Sequence, residues 1–183
     1  TLIDQPVRQG YAAAVNRAFG LHRDRDAVVL QADAEVANDW LDRLAHHGAA
    51  RGVGVVGTFT NNVGAATYPL PRAANPLPTG HTVASLDTLF ARANAGAAAV
   101  VPEIAGPCLY FRRDCLSAVG AFDGTPLGSD FGVEIDFCLR AGSAGYRHLL
   151  AGDVFVGHAG HGTFGAREAG ELAARAEHAL AKL

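Results

Sequence analysis

Short apolar runs alternate along this chain with stretches of helix formers, and no other feature restricts the fold as strongly. Residues 8–19 are Ala-rich helix formers that stop at Gly20, and residues 26–31, Asp26-Ala27-Val28-Val29-Leu30-Gln31, then read as a short buried strand. Asn38 is placed to cap a helix in which Trp40, Leu41 and Leu44 recur at helical spacing, and residues 52–57 give a second β-branched run. Further on, the pattern predicts a helix capped by Ser85 and running to Asn94, strands at 98–101 and 108–112, and a short helix at 114–119. A helix at 133–144, strands at 148–150 and 154–156, and a closing Ala-rich helix at 166–183 complete it. Such alternation favours an α/β fold, an open and mostly parallel sheet flanked by helices. Residues 58–82 and 124–132 are rich in Gly, Pro or Asn and read as loops, the first long enough to suggest a functional role.

At 183 residues and 49% hydrophobic composition, the chain suits one domain, residues 1–183, with a real core. A net charge of -3 without a basic run argues against nucleic acid as the main partner, because phosphate backbones are held by clustered cations. The longest apolar stretches, such as residues 97–101, fall far short of the roughly 20 residues of a membrane span. Cys108, Cys115 and Cys138 are an odd number without CxxC spacing, which points to neither a disulfide framework nor a zinc site and fits a reducing cytoplasm. The chain has no Met and opens on Thr1-Leu2-Ile3-Asp4-Gln5 directly before a helical pattern, so it is expected to be a piece of a longer polypeptide.

Three places carry candidate chemistry. Asp33 follows Val28-Val29-Leu30, at the carboxyl end of a strand, where open α/β sheets bind ligands; a carboxylate there can hold a divalent cation or simply make a turn. In Gly132-Val133-Glu134-Ile135-Asp136-Phe137-Cys138-Leu139-Arg140, two carboxylates occupy the first turn of a helix whose apolar residues anchor it to a core. The positive end of the helix dipole stabilises an anion there, which suits a catalytic base, although first-turn acids are also common on ordinary amphipathic helices. His158 lies among glycines in Phe155-Val156-Gly157-His158-Ala159-Gly160-His161-Gly162, just past a strand, and imidazole is a competent metal ligand. His161 is the weaker candidate, and the His46-His47 pair reads as surface or core.

Gly10-Tyr11-Ala12-Ala13-Ala14-Val15-Asn16, Val28-Val29-Leu30-Gln31-Ala32-Asp33-Ala34-Glu35-Val36, Gly106-Pro107-Cys108-Leu109-Tyr110-Phe111-Arg112-Arg113 and the Glu134 segment follow one another in that order, with His158 after them. In order and spacing this set resembles the inverting family 2 glycosyltransferases of the GT-A fold, in particular the bacterial rhamnosyltransferase-like branch that builds surface polysaccharides, over residues 10–165. The resemblance implies a GT-A domain without the family's first strand, helix and strand, which build much of the nucleoside pocket. It implies transfer of a sugar, with inversion, from a nucleotide-diphosphate donor to a glycan or lipid-linked acceptor. Glu134 would then be the general base and Asp136 its neighbour, orienting the surroundings, while Val133 stands where relatives often have an acid. Asp33 and His158 would hold Mg²⁺ or Mn²⁺ at the donor diphosphate, with Gln31 in place of the first acid of the family's pair. Asn16 matches a nucleotide-side asparagine, Glu35 an auxiliary ligand or ribose contact, and Gly106 and Pro107 the substrate-binding turn; Arg112 or Arg113 would clamp phosphate or cover the surface. The expected location is the cytoplasm, or the inner face of the cell membrane with peripheral association. A sugar nucleotidyltransferase would show a Gly-rich phosphate loop with a nearby cation, which this chain lacks. A truncated, non-catalytic module binding glycan or a partner is favoured by Gln31 and the missing front end.

Overall fold

The computed structural model describes residues 3, 9–62, 64–124 and 132–160; the loop expected at 124–132 lies outside them except for its ends, as do His161 and the helix expected at 166–183. Six strands are present in the described residues: β1 Ala27–Leu30, β2 Ala34–Glu35, β3 Val53–Thr60, β4 Ala98–Val101, β5 Cys108–Phe111 and β6 Arg147–His158. Five helices flank them: α1 Tyr11–Leu21, α2 Trp40–Gly48, α3 Val83–Ala93, α4 Arg113–Val119 and α5 Val133–Ser143. The sheet runs in the order β1-β5-β3-β6-β2, and β4 also pairs with β6.

The α/β class is as expected, but the pairing is not mostly parallel. Only β3 and β6 pair in parallel, whereas β5 pairs antiparallel with both β1 and β3, and β2 and β4 pair antiparallel with β6. Alternation of helix and strand forces parallel neighbours only when consecutive strands lie side by side. Here no two consecutive strands of the described residues do so.

Every residue of β5 is buried, and its side chains alternate between the two faces of the sheet. Leu109 and Phe111 enter a core with Ala12, Val15 and Phe19 of α1, Leu116 of α4 and Phe137 of α5, while Cys108 and Tyr110 join Leu44 of α2 on the other face. Phe111 is edge-on to Phe19 and Phe137, with ring centroids 5.4 Å from each. The third cluster, Val83 and Leu86 of α3 with Phe155, covers the end of β6.

Local signals were misplaced by a residue or a few. Gly20 lies inside α1, which ends at Leu21, since burial of Phe19 holds the last turn despite the glycine. Asn38 does not cap α2; Asp39 precedes the helix, and the Asn38 amide instead donates to Asp87 Oδ2 at 2.7 Å. Thr82, not Ser85, caps α3, and Ser85 answers it in a capping box whose bonds are 3.2 Å and 2.9 Å. The two strands expected near the end are one, β6, with a register shift opposite Thr58 and Phe59 that leaves Asp153 free to take hydrogen bonds from His47 and Gly96.

Candidate active site

Because β1 and β3 both run against β5, and β3 runs with β6, the three strands β1, β3 and β6 point the same way. Their carboxyl ends deliver Gln31, Asn61 and His158 to one edge of the sheet, where Gly106 and Pro107 lead into β5. The Gln31 N–H donates to the Pro107 carbonyl at 2.8 Å, and the Gln31 carbonyl accepts from Ala34 N at 3.0 Å. That four-residue turn carries Asp33 in its third position. The Asp33 carbonyl accepts from Ala159 N at 3.1 Å, and β2 pairs Ala34 with His158. The turn is thereby stitched to the end of β6, and Asp33 Oδ1 lies 3.1 Å from His158 Nε2.

His158 is 6% exposed, and Asn61 fixes its backbone from both sides, accepting from its N–H at 2.8 Å and donating to its carbonyl at 3.1 Å. Its Nδ1 is buried and has no partner among the described residues. A proton on Nδ1 would have no acceptor, so the neutral ring carries it on Nε2 and donates to Asp33. Among the described residues no three His, Cys, Asp or Glu side chains come together as a metal cage. At this edge of the sheet, Asp33 and His158 can offer one oxygen and one nitrogen to a cation. Glu35 is exposed on β2, opposite Gly157, beside them.

The chain enters α5 through Gly132, whose φ of 78° is a left-handed conformation that glycine takes without strain. Helix α5 ends just before β6 begins and lies with Phe137 against Phe111 in mid-sheet, so its first turn points toward the edge where β6 ends. Glu134, in that turn, is buried and receives the Tyr11 hydroxyl. Burial pushes its carboxyl above the ordinary carboxylate range, against the pull of its own backbone N–H and of Tyr11. Burial and the Glu134 charge in turn push the Tyr11 phenol well above its usual value. Asp136 faces elsewhere: its Oδ2 accepts from Arg140 Nε at 2.8 Å, and Arg140 also donates to the Val119 and Ala121 carbonyls at 3.1 Å each. Through Arg140 it ties α5 to the end of α4.

Two expected site residues lie apart from this edge. Arg112 follows Phe111, which pairs with Ala27 at the amino end of β1, so the antiparallel course of β5 carries it to the far end of the sheet from Asp33. There it meets Asp26 at 3.3 Å and Asp114 at 3.4 Å, and neighbouring Arg113 donates to the Arg25 carbonyl at 2.6 Å. Asn16 spends both ends of its amide on Phe122, donating to the carbonyl at 2.8 Å and accepting from the N–H at 2.9 Å. A phosphate clamp at Arg112 and a nucleotide contact at Asn16 are therefore replaced by structural ties.

Sequence reasoning missed Asn61 and Tyr11 as residues that hold His158 and Glu134. Tyr11 stood in a quoted motif without a role, and Asn61 was hidden in a polar loop. A cavity of about 960 Å³ was also missed; it lies at the same edge, between the segment after β3, the residues before Gly106 and the outer face of α5. Ile104 floors it, packed so closely over Gly57 that a Cβ there would come within 2.3 Å of the Ile104 side chain.

No family model and no curated protein matches the sequence. Among solved structures the chain is similar to mannosyltransferase PcManGT from Pyrobaculum calidifontis, a complex with GDP-Man and Mn²⁺, at 24% identity and a TM-score of 0.58. It is also similar to GalNAc-T7 with UDP, GalNAc and Mn²⁺, at 17% identity and a TM-score of 0.57. These likenesses cover 87% and 84% of this chain, which spans 39% and 31% of the two matched chains. The fold is thus the GT-A fold, a central sheet flanked by helices.

Proposed function

We propose that this chain is part of a glycosyltransferase that moves a sugar from a nucleotide-diphosphate donor to a glycan or lipid-linked acceptor with inversion. The observation that carries the reading is the meeting of Asp33 and His158 at 3.1 Å at the carboxyl ends of the shared-direction strands. Two side chains so placed would offer a cation one oxygen and one nitrogen once that hydrogen bond is released. A divalent cation, Mg²⁺ or Mn²⁺, fits there as a partner of the diphosphate: with two ligands from the protein, the donor's oxygens and water supply the rest. Both similar glycosyltransferase structures contain Mn²⁺. Held by Asp33 and His158, a divalent cation would neutralise the charge that develops on the leaving diphosphate. To ligate through Nε2, His158 would give up its hydrogen bond to Asp33 and carry its proton on Nδ1, which has no partner among the described residues, while Asn61 keeps the residue in place.

Single-step displacement needs one base. Glu134 takes the proton of the acceptor hydroxyl as that oxygen attacks the anomeric carbon, and its raised proton affinity suits the task near neutral pH. Tyr11 orients the carboxylate. Gln31 in place of an acid leaves Asp33 as the one carboxylate of the turn, so the ion depends on the donor for tight binding. The rhamnosyltransferase-like branch, polysaccharide assembly and a place at the inner membrane face belong to the same reading; no helix among the described residues is long and apolar enough to cross a membrane.

Titration of Mn²⁺ in the presence of GDP or UDP, comparing the native chain with Asp33→Ala, tests this reading. We expect the variant to weaken cation-dependent nucleotide binding by about tenfold or more, the usual cost of a lost carboxylate ligand or its neighbour. Equal binding in both chains overturns it and leaves the Asp33–His158 pair as a structural contact.

A further inference from the structure

Strand β3 stops pairing with β6 at Thr60, opposite Val156, while β6 runs on to His158. The last residues of β6 therefore lack a ladder partner from β3. At His158 the Asn61 side chain takes that place: its oxygen accepts from the backbone N–H at 2.8 Å and its nitrogen donates to the carbonyl at 3.1 Å, the two bonds a neighbouring strand would make. A side-chain amide has rotatable bonds that a strand does not, so it can hold a backbone in place only if its own residue is fixed.

The chain beyond Asn61 turns back and returns to it at Asn75. Thr60 N donates to the Ala66 carbonyl at 3.1 Å and Tyr68 N to the Thr60 carbonyl at 2.9 Å, which lays this return against the end of β3. Asn75 closes the loop, its N–H donating to the Asn61 carbonyl at 2.8 Å and its carbonyl accepting from the Asn61 amide nitrogen at 3.1 Å. The Asn61 amide thereby has Asn75 on one hydrogen and His158 on the other, an arrangement that keeps its oxygen turned to the His158 N–H. Asn75 is itself 7% exposed: its Oδ1 accepts from Leu70 N at 3.2 Å, and its two Nδ2 hydrogens are shared among the Leu70, Ala73 and Asn61 carbonyls at 2.9, 3.0 and 3.3 Å.

We propose that Asn75 is a positioning residue for the cation site, setting through Asn61 the place of His158 opposite Asp33. The inference rests on the transferase reading above for what the pair binds. Asp33 is tied to the end of β6 from the β2 side, through the bond from Ala159 N to its carbonyl, and Asn75 holds that end from the β3 side. Residues 60–62 and 64–75 are on this account a fixed strut, not a closing lid, and only the His158 ring turns when Nε2 is given to a cation.

The ring-nitrogen NMR signals of His158, recorded on the whole chain with neither metal nor nucleotide and above the pH range in which imidazole titrates, read this coupling directly. The native ring should hold one tautomer, its proton on Nε2 toward Asp33, and Asn75→Ala should move both nitrogen signals toward the averaged tautomers of free imidazole. Thr67→Val is the control, since it removes from the same loop the bonds to the Leu70 carbonyl at 2.8 Å and from Ala73 N at 3.2 Å but none to Asn61. It should leave the ring signals in place. In a titration of Mn²⁺ with GDP or UDP present, Asn75→Ala should weaken cation-dependent nucleotide binding by about tenfold, the lower end for a residue behind a metal ligand, and Thr67→Val by less than about twofold. Thermal melting checks that the variants fold, and Asn75→Ser, which keeps one donor, replaces Asn75→Ala if the latter does not. The proposal is overturned if the ring signals of the Asn75 variant match the native chain, if Thr67→Val moves them as far, or if neither Asn75 variant folds, which would make the residue structural alone. Should Asp33→Ala leave cation binding unaltered, the cation reading falls by itself, and the ring signals alone then decide whether Asn75 positions His158.

Discussion

Asp87 and Glu134 are both buried carboxylates on helices, 0% and 8% exposed, and their surroundings treat the charge in opposite ways. Asp87 Oδ2 accepts from Arg43 Nη2 at 2.6 Å and from Asn38 at 2.7 Å, while Oδ1 accepts from Phe155 N at 3.1 Å. Arg43 also donates to the Asp153 carbonyl, and the Asp153 carboxylate meets His47 at 2.7 Å and Gly96 N at 3.0 Å. The network joins α2, α3 and the irregular middle of β6, and every charge in it has a partner. Glu134 has a phenol and its own N–H, with no cation, so burial dominates and its proton affinity rises. A carboxylate that holds structure is surrounded by donors; one that is to take a proton is left short of them.

The largest expected effect breaks the catalytic half of this comparison. Glu134→Gln, in the polypeptide that carries the whole activity, should lower turnover by about two to four orders of magnitude with donor affinity nearly unchanged, the range for losing a general base. The same substitution should act on stability in the opposite sense. A carboxyl whose folded pKa is raised stabilises the fold below the ordinary carboxylate range and loses that contribution as pH rises through its folded value. The Gln variant should therefore match the native chain at about pH 4 and exceed it at pH 8 in chemical denaturation. A native chain that is the more stable of the two at pH 8 would mean that Tyr11 outweighs burial.

Asp87→Ala should break the structural half. It leaves the Arg43 guanidinium, whose side chain is only 18% exposed, and the Phe155 N–H without their acceptor, a loss of about 3 to 5 kcal/mol by urea unfolding. Nucleotide binding in the surviving folded fraction should be unchanged. A loss below about 1 kcal/mol would show that the network is solvated in solution and that the contrast with Glu134 is not one of charge compensation.

Much of this contrast was out of reach of the sequence, for a physical reason. Periodicity reports burial along one element, so α5, β4 and β5 were legible to within a residue or so, and Asp33 and His158 could be placed at strand ends. Pair formation across the fold is not periodic. His47 read as an ordinary surface or core histidine, yet the irregularity in β6 turns Asp153 toward it, and nothing near either residue announces the other. Arg112 misled because its motif sits on the right strand, whereas the strand's direction decides which end of the sheet it reaches. The parallel sheet failed for the same reason: which strands become neighbours is settled by packing of distant segments.

Asp136→Asn is the smallest and most discriminating change, because Asp136 shares the first turn of α5 with Glu134 and lies on the structural side of the comparison. Its one cation, Arg140, is 32% exposed, and such partly solvated i,i+4 pairs contribute little. The substitution should cost about 0.5 to 1 kcal/mol of stability and less than tenfold in turnover, the latter through a shift of α5 as Arg140 loosens from the Val119 and Ala121 carbonyls. Arg140→Lys should reproduce that small loss, since it weakens the same tie without touching either acid. If Asp136→Asn instead costs more turnover than Glu134→Gln, the proton goes to Asp136. If neither changes turnover, the chain's α5 acids are both structural and the non-catalytic reading of this GT-A domain is the better one.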